Sequence, residues 1–393
     1  MIVAVEYGLL CAGAMLALPV LVLTIEVVAA LVPRRPAPAG GQRGRLCVLV
    51  PAHDEAAVIV ATLGAIRSQL SSGDRLLVVA DNCTDDTAAV ARHAGAEVVE
   101  RWDPAHRGKG YALDYGVRQI ASDPPDVVVV VDADCLVTHG CLESLSRQAE
   151  ASRRPVQGLY LMRASGGAHI KARVAEFAWV VKNHVRPLGL HRLGLPCQLM
   201  GTGMAFPWSL LRSAEFASGE IVEDMKLGLD LARNGYAPQF CPEALVTSEF
   251  PTDEAAGKTQ RTRWEHGHLG MIMAELPGLL WQAARSGDVT LLAMALDLAV
   301  PPLALLGLLV AAFVAISGLS AAGGWASLAP FFFAAAAAVG MVIAVLVAWS
   351  GWGRRILSLR DLAVLPLYAS AKLPIYLLFW VRRQTEWIRT PRQ

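Results

Sequence analysis

Long apolar segments at both ends of the chain constrain its fold more than any other feature of the sequence. Gly8 to Val32 is an apolar run of roughly the ~20 residues that a bilayer-spanning helix needs. Apolar stretches return at residues 291–319, 328–349 and 362–381. The chain is 54% hydrophobic and 18% charged as a whole, but the region between these stretches has the composition of a soluble domain. The sequence therefore predicts a membrane protein that carries one sizeable globular domain.

Basic residues beside the apolar segments predict their orientation. Pro33-Arg34-Arg35-Pro36 follows the first segment, and positive charge marks the cytoplasmic side. The segment is too long for a typical signal-peptide core and lacks a basic start, so we favour a retained anchor over a cleaved signal. Arg354 and Arg355 follow residues 328–349, which is consistent with two crossings that return to the cytosol. We predict an integral protein of the bacterial inner membrane with a cytosolic catalytic domain.

Polar residues interrupt two of the apolar segments. Asp297 and Pro301-Pro302 in residues 291–319 predict a kinked helix that faces protein rather than lipid. Pro366, Lys372 and Pro374 in residues 362–381 favour a re-entrant or interfacial segment, with a third crossing as the alternative. Glu26 in the first segment either reaches the interface or pairs within the protein.

Charge and cysteine content exclude two other kinds of protein. The formal net charge is +1, which implies no nucleic-acid partner. The seven cysteines form no C-x-x-C pair, which favours reduced thiols in a cytosolic domain over a zinc site.

The middle of the chain alternates between strand and helix patterns. Strands are predicted at residues 45–50, 75–80, 97–100 and 126–131, with helical patterns between them. This alternation predicts a parallel sheet. Asp81 and Asp132 each follow a strand, and parallel strands present their carboxyl ends at one edge, so one ligand is expected to reach both.

Several polar groups in this domain suit a phosphorylated ligand and a metal. Asp132 and Asp134 offer the hard oxygen ligands that Mg²⁺ or Mn²⁺ prefers, although D-x-D is also common in plain turns. Lys109, in a glycine-flanked loop, is a candidate phosphate contact or a solvated lysine. Residues 196–206 form a glycine-containing loop, either a wall facing the acceptor or a tight turn into a strand.

Two later motifs add groups for group transfer. Glu223 and Asp224 open an amphipathic helix, where they either cap the helix or supply a general base, for which we choose Asp224. The second of these motifs is Gln260-x-x-Arg263-Trp264. Arg263 can pair with a departing diphosphate, and Trp264 offers an apolar face to an acceptor. The residues after it, up to 281, are suited to lie on the membrane surface. For His266 and His268, packing is favoured over metal ligation.

With these residues in view, the chain resembles the membrane-bound family 2 glycosyltransferases. This group includes cellulose and hyaluronan synthases, poly-N-acetylglucosamine synthases and ceramide glucosyltransferase. The D, D-x-D, E-D and Q-x-x-R-W pattern of that group falls on the following residues: Asp81; Asp132 and Asp134; Glu223 and Asp224; Gln260, Arg263 and Trp264. The resemblance implies an α/β fold of GT-A type: a Rossmann-like, mostly parallel sheet with flanking helices, plus transmembrane α-helices at both ends.

The resemblance also implies roles for the site residues. Asp224 is the catalytic base of an inverting displacement, and Asp134 holds the metal, with Asp132 as a second candidate ligand. The donor nucleotide is bound by Pro51, Ala52, Glu55, Asp81, Lys109, Asp132 and Asp134. The acceptor and diphosphate site contains Glu223, Gln260, Arg263 and Trp264. The chain departs from many members of the group at Ala80, where they have a second acid.

The predicted domains and function follow. The domains are an anchor at 1–33, a GT-A domain at 42–256, the Q-x-x-R-W segment with an interfacial helix at 257–285, two transmembrane helices at 290–350, and a last membrane segment with a basic tail at 360–393. We expect transfer of a hexose or N-acetylhexosamine from a UDP-sugar to a lipid or growing glycan acceptor, with membrane lipids as partners. The alternatives are a processive polysaccharide synthase, a nucleotidyltransferase and an inactive sugar-nucleotide-binding membrane protein.

Overall fold

The structure, a computed structural model, describes residues 2–33, 43–212, 216, 222–251 and 253–381. The basic tail at 382–393 and Arg34-Arg35 therefore lie outside the described residues. Within this described part of the chain, eight strands form one sheet. They are β1 (Leu46–Ala52), β2 (Arg75–Asp81), β3 (Glu97–Arg101), β4 (Val127–Val130), β5 (Leu136–Val137), β6 (Val156–Arg163), β7 (Met204–Pro207) and β8 (Gln239–Glu249).

Helices make up most of the remaining described chain. The α-helices are α1 (Ile2–Ala29), α2 (Ile59–Arg67), α3 (Thr87–His93), α4 (Lys109–Ile120), α5 (Cys141–Ser152), α6 (Ile170–Val180), α7 (Arg186–Arg192), α8 (Trp208–Leu211), α9 (Glu223–Arg233), α10 (Glu254–Ser286), α11 (Val289–Leu298), α12 (Leu303–Ala322), α13 (Ala329–Ala348), α14 (Leu365–Ala371) and α15 (Leu373–Val381). Two π-helical turns, Val181–Val185 and Trp349–Gly353, and a 3-10 turn, Arg360–Val364, join some of them.

The described residues divide into two compact units. The sheet unit comprises residues 43–165 and 195–267, and the helical unit comprises residues 2–33, 166–194 and 268–381. The predicted domain at 42–256 is thus interrupted, because residues 166–194 leave the sheet unit and pack with α1 and other helices of the helical unit. The sequence did not reveal this excursion, since its hydrophobic pattern resembles that of any buried helix.

The sheet is mixed, with a parallel half that matches the predicted alternation. Its order is β3-β2-β1-β4-β7-β6-β8-β5, and the pairs β3-β2, β2-β1 and β1-β4 are parallel. The strand β7 runs antiparallel to both of its neighbours, β4 and β6. Beyond it, β6 and β8 are parallel, and β5 forms the far edge of the sheet, antiparallel to β8. The strands β1 and β4 are almost wholly buried, as expected for continuous apolar runs covered on both faces.

The strands β6 and β8 were missed by the sequence analysis. They contain polar and strand-breaking residues, including Gln157, Gly158 and Pro242, and their pairing shifts register between Gly158 and Leu159. Neither strand has the alternation of apolar and polar residues, or the continuous apolar run, that identifies a strand from sequence. The extent of β6 and β8 is set instead by their hydrogen-bonded pairing with neighbouring strands.

The helical unit contains the apolar segments. Four described helical stretches are long and apolar enough to cross a membrane: Val3–Ala29, Leu303–Ala322, Ala329–Gly353 and Arg360–Val381. The single span predicted at 291–319 is wrong in detail, because α11 ends at Leu298 and α12 starts after Pro302. Two consecutive prolines remove backbone N–H donors and break the helix there. Residues 360–381 are three short helices, so the choice between a crossing and a re-entrant segment stays a prediction.

A buried group of charges joins three helices of the helical unit. Arg186 of α7 donates from Nε to Glu26 of α1 at 2.6 Å and from Nη2 to Asp297 of α11 at 2.6 Å. All three side chains are at most 9% exposed. This confirms the expectation that Asp297 faces protein, and it shows that Glu26 pairs within the protein. Gly189, one turn after Arg186, leaves no room for a Cβ against the Glu26 carbonyl, so α1 and α7 are in close contact.

Arg186→Met is expected to destabilise the helical unit strongly. It leaves two carboxylates buried without a cation, and breaking a buried ion pair costs about 3–5 kcal/mol. Arg173→Met is the matched control, because the Arg173–Asp361 pair of the same unit is 40% and 24% exposed, and ion pairs in contact with solvent contribute little to stability. The measurement is thermal unfolding of the purified full chain in detergent. Equal, small losses for the two variants would show that the buried group does not hold these helices together.

Candidate active site

One cleft in the sheet unit contains most of the residues that the sequence singled out. It opens where β1, β2 and β4 end, at the carboxyl edge of the parallel half of the sheet. Its lining residues are Pro51, Ala52, His53, Glu55, Asp81, Asn82, Arg107, Gly108, Lys109, Ala112, Asp132, Ala133, Asp134, Gln260 and Arg263. Five segments that are far apart in the sequence therefore face one space.

The loops after β1 and β2 are joined to each other by hydrogen bonds. The Asp54 carboxylate accepts from the backbone N–H of Thr84 at 2.6 Å and of Asp85 at 3.2 Å. The Glu55 backbone N–H donates to the buried Thr87 hydroxyl at 2.8 Å. Asp54 has a φ of 52°, in the left-handed region, which residues other than glycine seldom adopt. These bonds hold the predicted residues Pro51, Ala52 and Glu55 along one wall.

The Asp132-Ala133-Asp134 turn is held by two other segments of the chain and by a hydrogen bond within the turn. The Asp132 backbone N–H donates to the Thr202 hydroxyl at 3.0 Å. The Thr62 hydroxyl of α2 donates to the Ala133 carbonyl at 2.8 Å. The Cys135 backbone N–H closes the turn onto the Asp132 carbonyl at 3.1 Å. Ligand atoms of Asp132, Asp134 and Cys135 all lie within 4.8 Å of one another, which suits a bound metal ion.

Lys109 lies at the first turn of α4 and forms an ion pair with Asp132. Its ammonium also donates to the Gly201 carbonyl at 2.7 Å. Burial alone lowers the pKa of Lys109, but the carboxylates of Asp132, Glu223 and Asp224 outweigh this effect and raise it above its ordinary value. Lys109 is therefore a permanent positive charge among three acids.

Glu223 and Asp224 are the first two residues of α9, as predicted. Burial and the neighbouring Asp224 raise the pKa of Glu223 to about 7, although Lys109 opposes the rise. Gly201, which has a φ of 90°, lets its backbone approach Asp224 and Lys109 closely. A Cβ at this position would lie 3.3 Å from Asp224 Oδ2 and 3.5 Å from Lys109 Nζ. Asp224 therefore lies close to Lys109, although neither Glu223 nor Asp224 lines the described cleft itself.

The Q-x-x-R-W motif lies on α10, and its members differ in placement. Gln260 and Arg263 line the cleft, whereas Trp264 is half-buried and does not line it. Gln260 is 4% exposed, and its Oε1 has no hydrogen-bond partner among the residues that the structure describes. A buried acceptor left without a partner costs about 1–3 kcal/mol, so this atom suits a ligand that supplies a donor.

Sequence reasoning did not assign several residues that shape the cleft. Arg107 and Asn82 line it, and Gln157 holds the loop that precedes β7. The Gln157 amide donates to the Thr202 carbonyl at 2.9 Å and accepts from the Met200 N–H at 2.7 Å, which fixes the glycine-containing loop. Arg107 carried a signal in its place beside Gly108-Lys109, but Gln157 carried none, because its role depends on strand pairing.

The charges of the cleft define what it can bind. Two clustered carboxylates stand near cationic Lys109, with Arg107 and Arg263 on the same lining. Acidic residues alone would repel an anion, and basic residues alone would not hold a metal. The combination suits a polyphosphate bound together with a divalent cation.

Curated relatives were found over parts of the chain. An uncharacterised glycosyltransferase of Mycobacterium tuberculosis is 38% identical over 120 residues, which cover 29% of this chain and 50% of the relative. The glucosyl-3-phosphoglycerate synthase of the same species is 31% identical over 199 residues, covering 45% of this chain and 58% of the synthase. This chain thus spans about half the length of the curated relatives that it matches.

A solved structure resembles nearly the whole chain. It is the mannosyltransferase PcManGT from Pyrobaculum calidifontis in complex with GDP-Man and Mn²⁺, with a TM-score of 0.55 and 19% identity. The match covers 95% of this chain and 98% of that one. The likeness shows the fold, and it confirms the predicted GT-A-type α/β architecture with additional apolar helices.

The family profile described as "Glycosyltransferase like family 2" matches residues 44–267, more than half of the chain. That range contains every residue lining the cleft. The chain therefore belongs to the family 2-like glycosyltransferases.

Proposed function

We propose that the protein is an inverting membrane glycosyltransferase. It moves a hexose or N-acetylhexosamine from a UDP-sugar to a lipid or lipid-linked acceptor at the cytosolic membrane face and forms a β-glycosidic bond. The observation that carries this proposal is the convergence of Asp81, Lys109, Asp132 and Asp134 with Gln260 and Arg263 in one cleft. Family membership makes sugar transfer the chemistry that best accounts for such a cleft.

Asp134 and Asp132 are the residues that would hold a divalent cation, Mg²⁺ or Mn²⁺. The donor set fits, because both carboxylates line the cleft and lie within 4.8 Å of each other. Lys109 pairs with Asp132, and the resemblance to the membrane-bound family 2 glycosyltransferases assigns the metal chiefly to Asp134. A bound cation neutralises charge on the two phosphates and so improves the leaving group.

The cationic residues stabilise the departing diphosphate, and Asp224 is the base. The acceptor hydroxyl oxygen bonds to the anomeric carbon, and its proton passes to the Asp224 carboxylate. The bond from that carbon to the diphosphate oxygen breaks, and both electrons leave with the diphosphate. Arg263 and Lys109 balance the charge that develops there. A single displacement of this kind inverts the configuration of the sugar.

The position of Lys109 supports the choice of Asp224. Its ammonium lies beside both Asp132 and Asp224, so one cation links the carboxylates of the donor site to the proposed base. Burial and the neighbouring Asp224 raise the pKa of Glu223 to about 7, so the two carboxylates of this pair share one charged environment with Lys109. We assign Glu223 a supporting role, and Trp264 the acceptor side.

The acceptor is proposed to be a membrane lipid because the same chain carries four described helical stretches that can cross a bilayer. The alternative functions are a processive polysaccharide synthase and an inactive sugar-nucleotide-binding protein. A nucleotidyltransferase is a further alternative, and it is distinguished by the release of pyrophosphate instead of a nucleoside diphosphate.

Asp134→Asn is expected to weaken Mn²⁺ binding by roughly tenfold or more, since it removes a charged ligand. Asp85→Asn is the matched control, because Asp85 belongs to a second acidic cluster with Asp54 and Cys83. The Kd for Mn²⁺ is measured by isothermal titration calorimetry, in which Mn²⁺ is titrated into the purified full chain in the presence of UDP. A larger loss for Asp85→Asn would place the metal at the second cluster.

Asp224→Asn is expected to lower kcat by about 10²- to 10⁴-fold, because the proton of the acceptor hydroxyl loses its base. The Kd for the donor nucleotide should change little. Asp230→Asn, on the same helix and in an exposed ion pair with Lys226, should leave kcat unchanged. An Asp224→Asn variant with normal kcat would rule out Asp224 as the base.

Release of UDP from the detergent-solubilised protein tests the function as a whole. A panel of UDP-sugars is supplied with Mn²⁺ or Mg²⁺, with and without a lipid extract, beside Asp224→Asn. Release that needs one sugar and lipid, and is lost in the variant, is the expected result. Lipid-independent release with a long insoluble β-linked product would replace the lipid acceptor by a polysaccharide. Binding of UDP-sugar without turnover, unchanged by the variant, would indicate the inactive binding protein.

A further inference from the structure

Two buried side chains outside the cleft hold the turn that carries the proposed metal ligands. Thr202 and Gln157 are each 0% exposed, and neither lines the described cleft. The Thr202 hydroxyl accepts from the Asp132 backbone N–H at 3.0 Å. This bond joins the loop before β7 directly to the turn after β4. The position of the Asp132 backbone therefore depends on the position of Thr202.

The backbone that follows Thr202 is fixed by three strands. The Gly203 N–H donates to the Val130 carbonyl of β4 at 2.9 Å, and the Gly203 carbonyl accepts from the Gly158 N–H of β6 at 2.8 Å. Gly203 has a φ of 64°, and a Cβ at this position would lie 2.8 Å from Val246 Cγ2 of β8. A residue larger than glycine would push the loop away from β8. Thr202 is thus held at a defined distance from the end of β4.

Gln157, on β6, bonds to the same loop at two points. Its Nε2 donates to the Thr202 carbonyl at 2.9 Å and to the Gly158 carbonyl at 2.8 Å. Its Oε1 accepts from the Met200 N–H at 2.7 Å. Both hydrogens of this amide and its oxygen have partners, so the amide has one orientation. Removing it would leave buried backbone groups without partners, which is unfavourable.

The loop also contacts the cation of the cleft. The Gly201 carbonyl lies between the two points that Gln157 holds, and it accepts from the Lys109 ammonium at 2.7 Å. Lys109 in turn pairs with Asp132. The loop therefore fixes the Asp132 backbone through Thr202, and it fixes the cation that neutralises the Asp132 carboxylate.

The turn after β4 carries this effect on to Asp134. The Cys135 N–H donates to the Asp132 carbonyl at 3.1 Å, and the Cys135 thiol donates to Asp134 Oδ1 at 3.5 Å. A shift of the Asp132 backbone would therefore move both carboxylates relative to each other. The affinity of a metal site depends on the groups that orient its ligands, as well as on the ligands themselves.

We infer that Thr202 and Gln157 are positioning residues for metal binding: Thr202 sets the turn that contains Asp132 and Asp134, and Gln157 sets Thr202. This inference rests on the proposed function, because it concerns the metal site of the same cleft. It assigns part of the metal affinity to two side chains that do not line the cleft. It also makes the loop before β7 the connection between the metal site and Lys109.

Thr202→Val tests the bond to the metal turn. Valine has nearly the shape of threonine but no hydroxyl, so the Asp132 N–H loses its partner while the packing is largely kept. The Kd for Mn²⁺ should rise by about ten- to a hundredfold, as expected when a group that orients metal ligands is removed. Thr202→Ser keeps the hydroxyl and should restore most of the affinity. The measurement is calorimetric titration of Mn²⁺ into the purified full chain in the presence of UDP.

Gln157→Met tests the bonds that hold Thr202. Methionine fills a similar volume but can neither donate to the Thr202 carbonyl nor accept from the Met200 N–H. The Kd for Mn²⁺ should again rise by about tenfold or more. Melting temperatures show which variants are folded. If Thr202→Val does not fold, Gln157→Met is judged by the same criterion in its place.

Thr138→Val and Gln148→Met are the matched controls. The Thr138 hydroxyl donates to the Leu245 carbonyl at 3.0 Å, and the Gln148 amide donates to the Phe240 carbonyl at 3.2 Å. Both bonds belong to the sheet unit, and none of these four residues lines the described cleft. The controls should leave the Kd for Mn²⁺ unchanged, even where they lower the melting temperature.

The electron paramagnetic resonance spectrum of bound Mn²⁺ separates positioning from a general loss of stability. This spectrum depends on the arrangement of the ligands around the ion. At saturating Mn²⁺ and UDP it should differ between the wild type and Thr202→Val, and it should be the same for the wild type, Thr202→Ser and the two controls. The Mn²⁺ concentration that gives half the maximal transfer rate should rise in step with the Kd.

The results separate this inference from the proposed function. A folded Thr202→Val variant with the Kd and spectrum of the wild type would overturn the inference, as would an equal loss of Mn²⁺ affinity in the controls. A selective loss of affinity in a protein that transfers no sugar would uphold the inference and overturn the proposed function. Failure of the folded wild type to bind Mn²⁺ or Mg²⁺ in the presence of UDP would overturn both.

Discussion

A lysine ammonium placed among three carboxylates is the interaction on which the cleft depends. Lys109 pairs with Asp132 and lies beside Asp224, and its charge is stabilised by both and by Glu223. Without it, the turn after β4 and the start of α9 would bring like charges together in a partly buried place, which is unfavourable. The same cation suits the phosphates of a donor. One side chain thus stabilises the fold of the cleft and prepares it for an anionic ligand.

The sheet topology explains why these groups meet. The strands β1, β2 and β4 are parallel neighbours, so the loops that follow them emerge at one edge. The antiparallel strand β7 then brings Gly201 and Thr202 back to the same edge, where Thr202 holds the Asp132 backbone. Rigid strands position the ligand-binding atoms, and glycines with positive φ permit the close approaches.

The helical unit uses charge in a different way. Its buried Glu26–Arg186–Asp297 group joins helices that come from three distant parts of the sequence. Charges inside an apolar unit are costly unless they are paired, so this group favours one arrangement of the helices over others. Residues 166–194 are held in this unit by Arg186, although they lie between two segments of the sheet unit in the sequence.

Local patterns in the sequence were enough to predict the apolar helices, the parallel strands, the amphipathic helix α9 and the motif residues that line the cleft. These features depend on local hydrophobic periodicity and on residue types with few alternative uses. The strands β6 and β8, the excursion of residues 166–194 and the partners of Arg186 became clear from the three-dimensional structure alone. Long-range pairing sets these, and polar residues such as Gln157 and Arg186 carry no local mark of the partner that they will meet. The break at Pro301-Pro302 lies between the two cases, because the prolines predicted a kink, whereas the structure has two separate helices, α11 and α12, on either side of them.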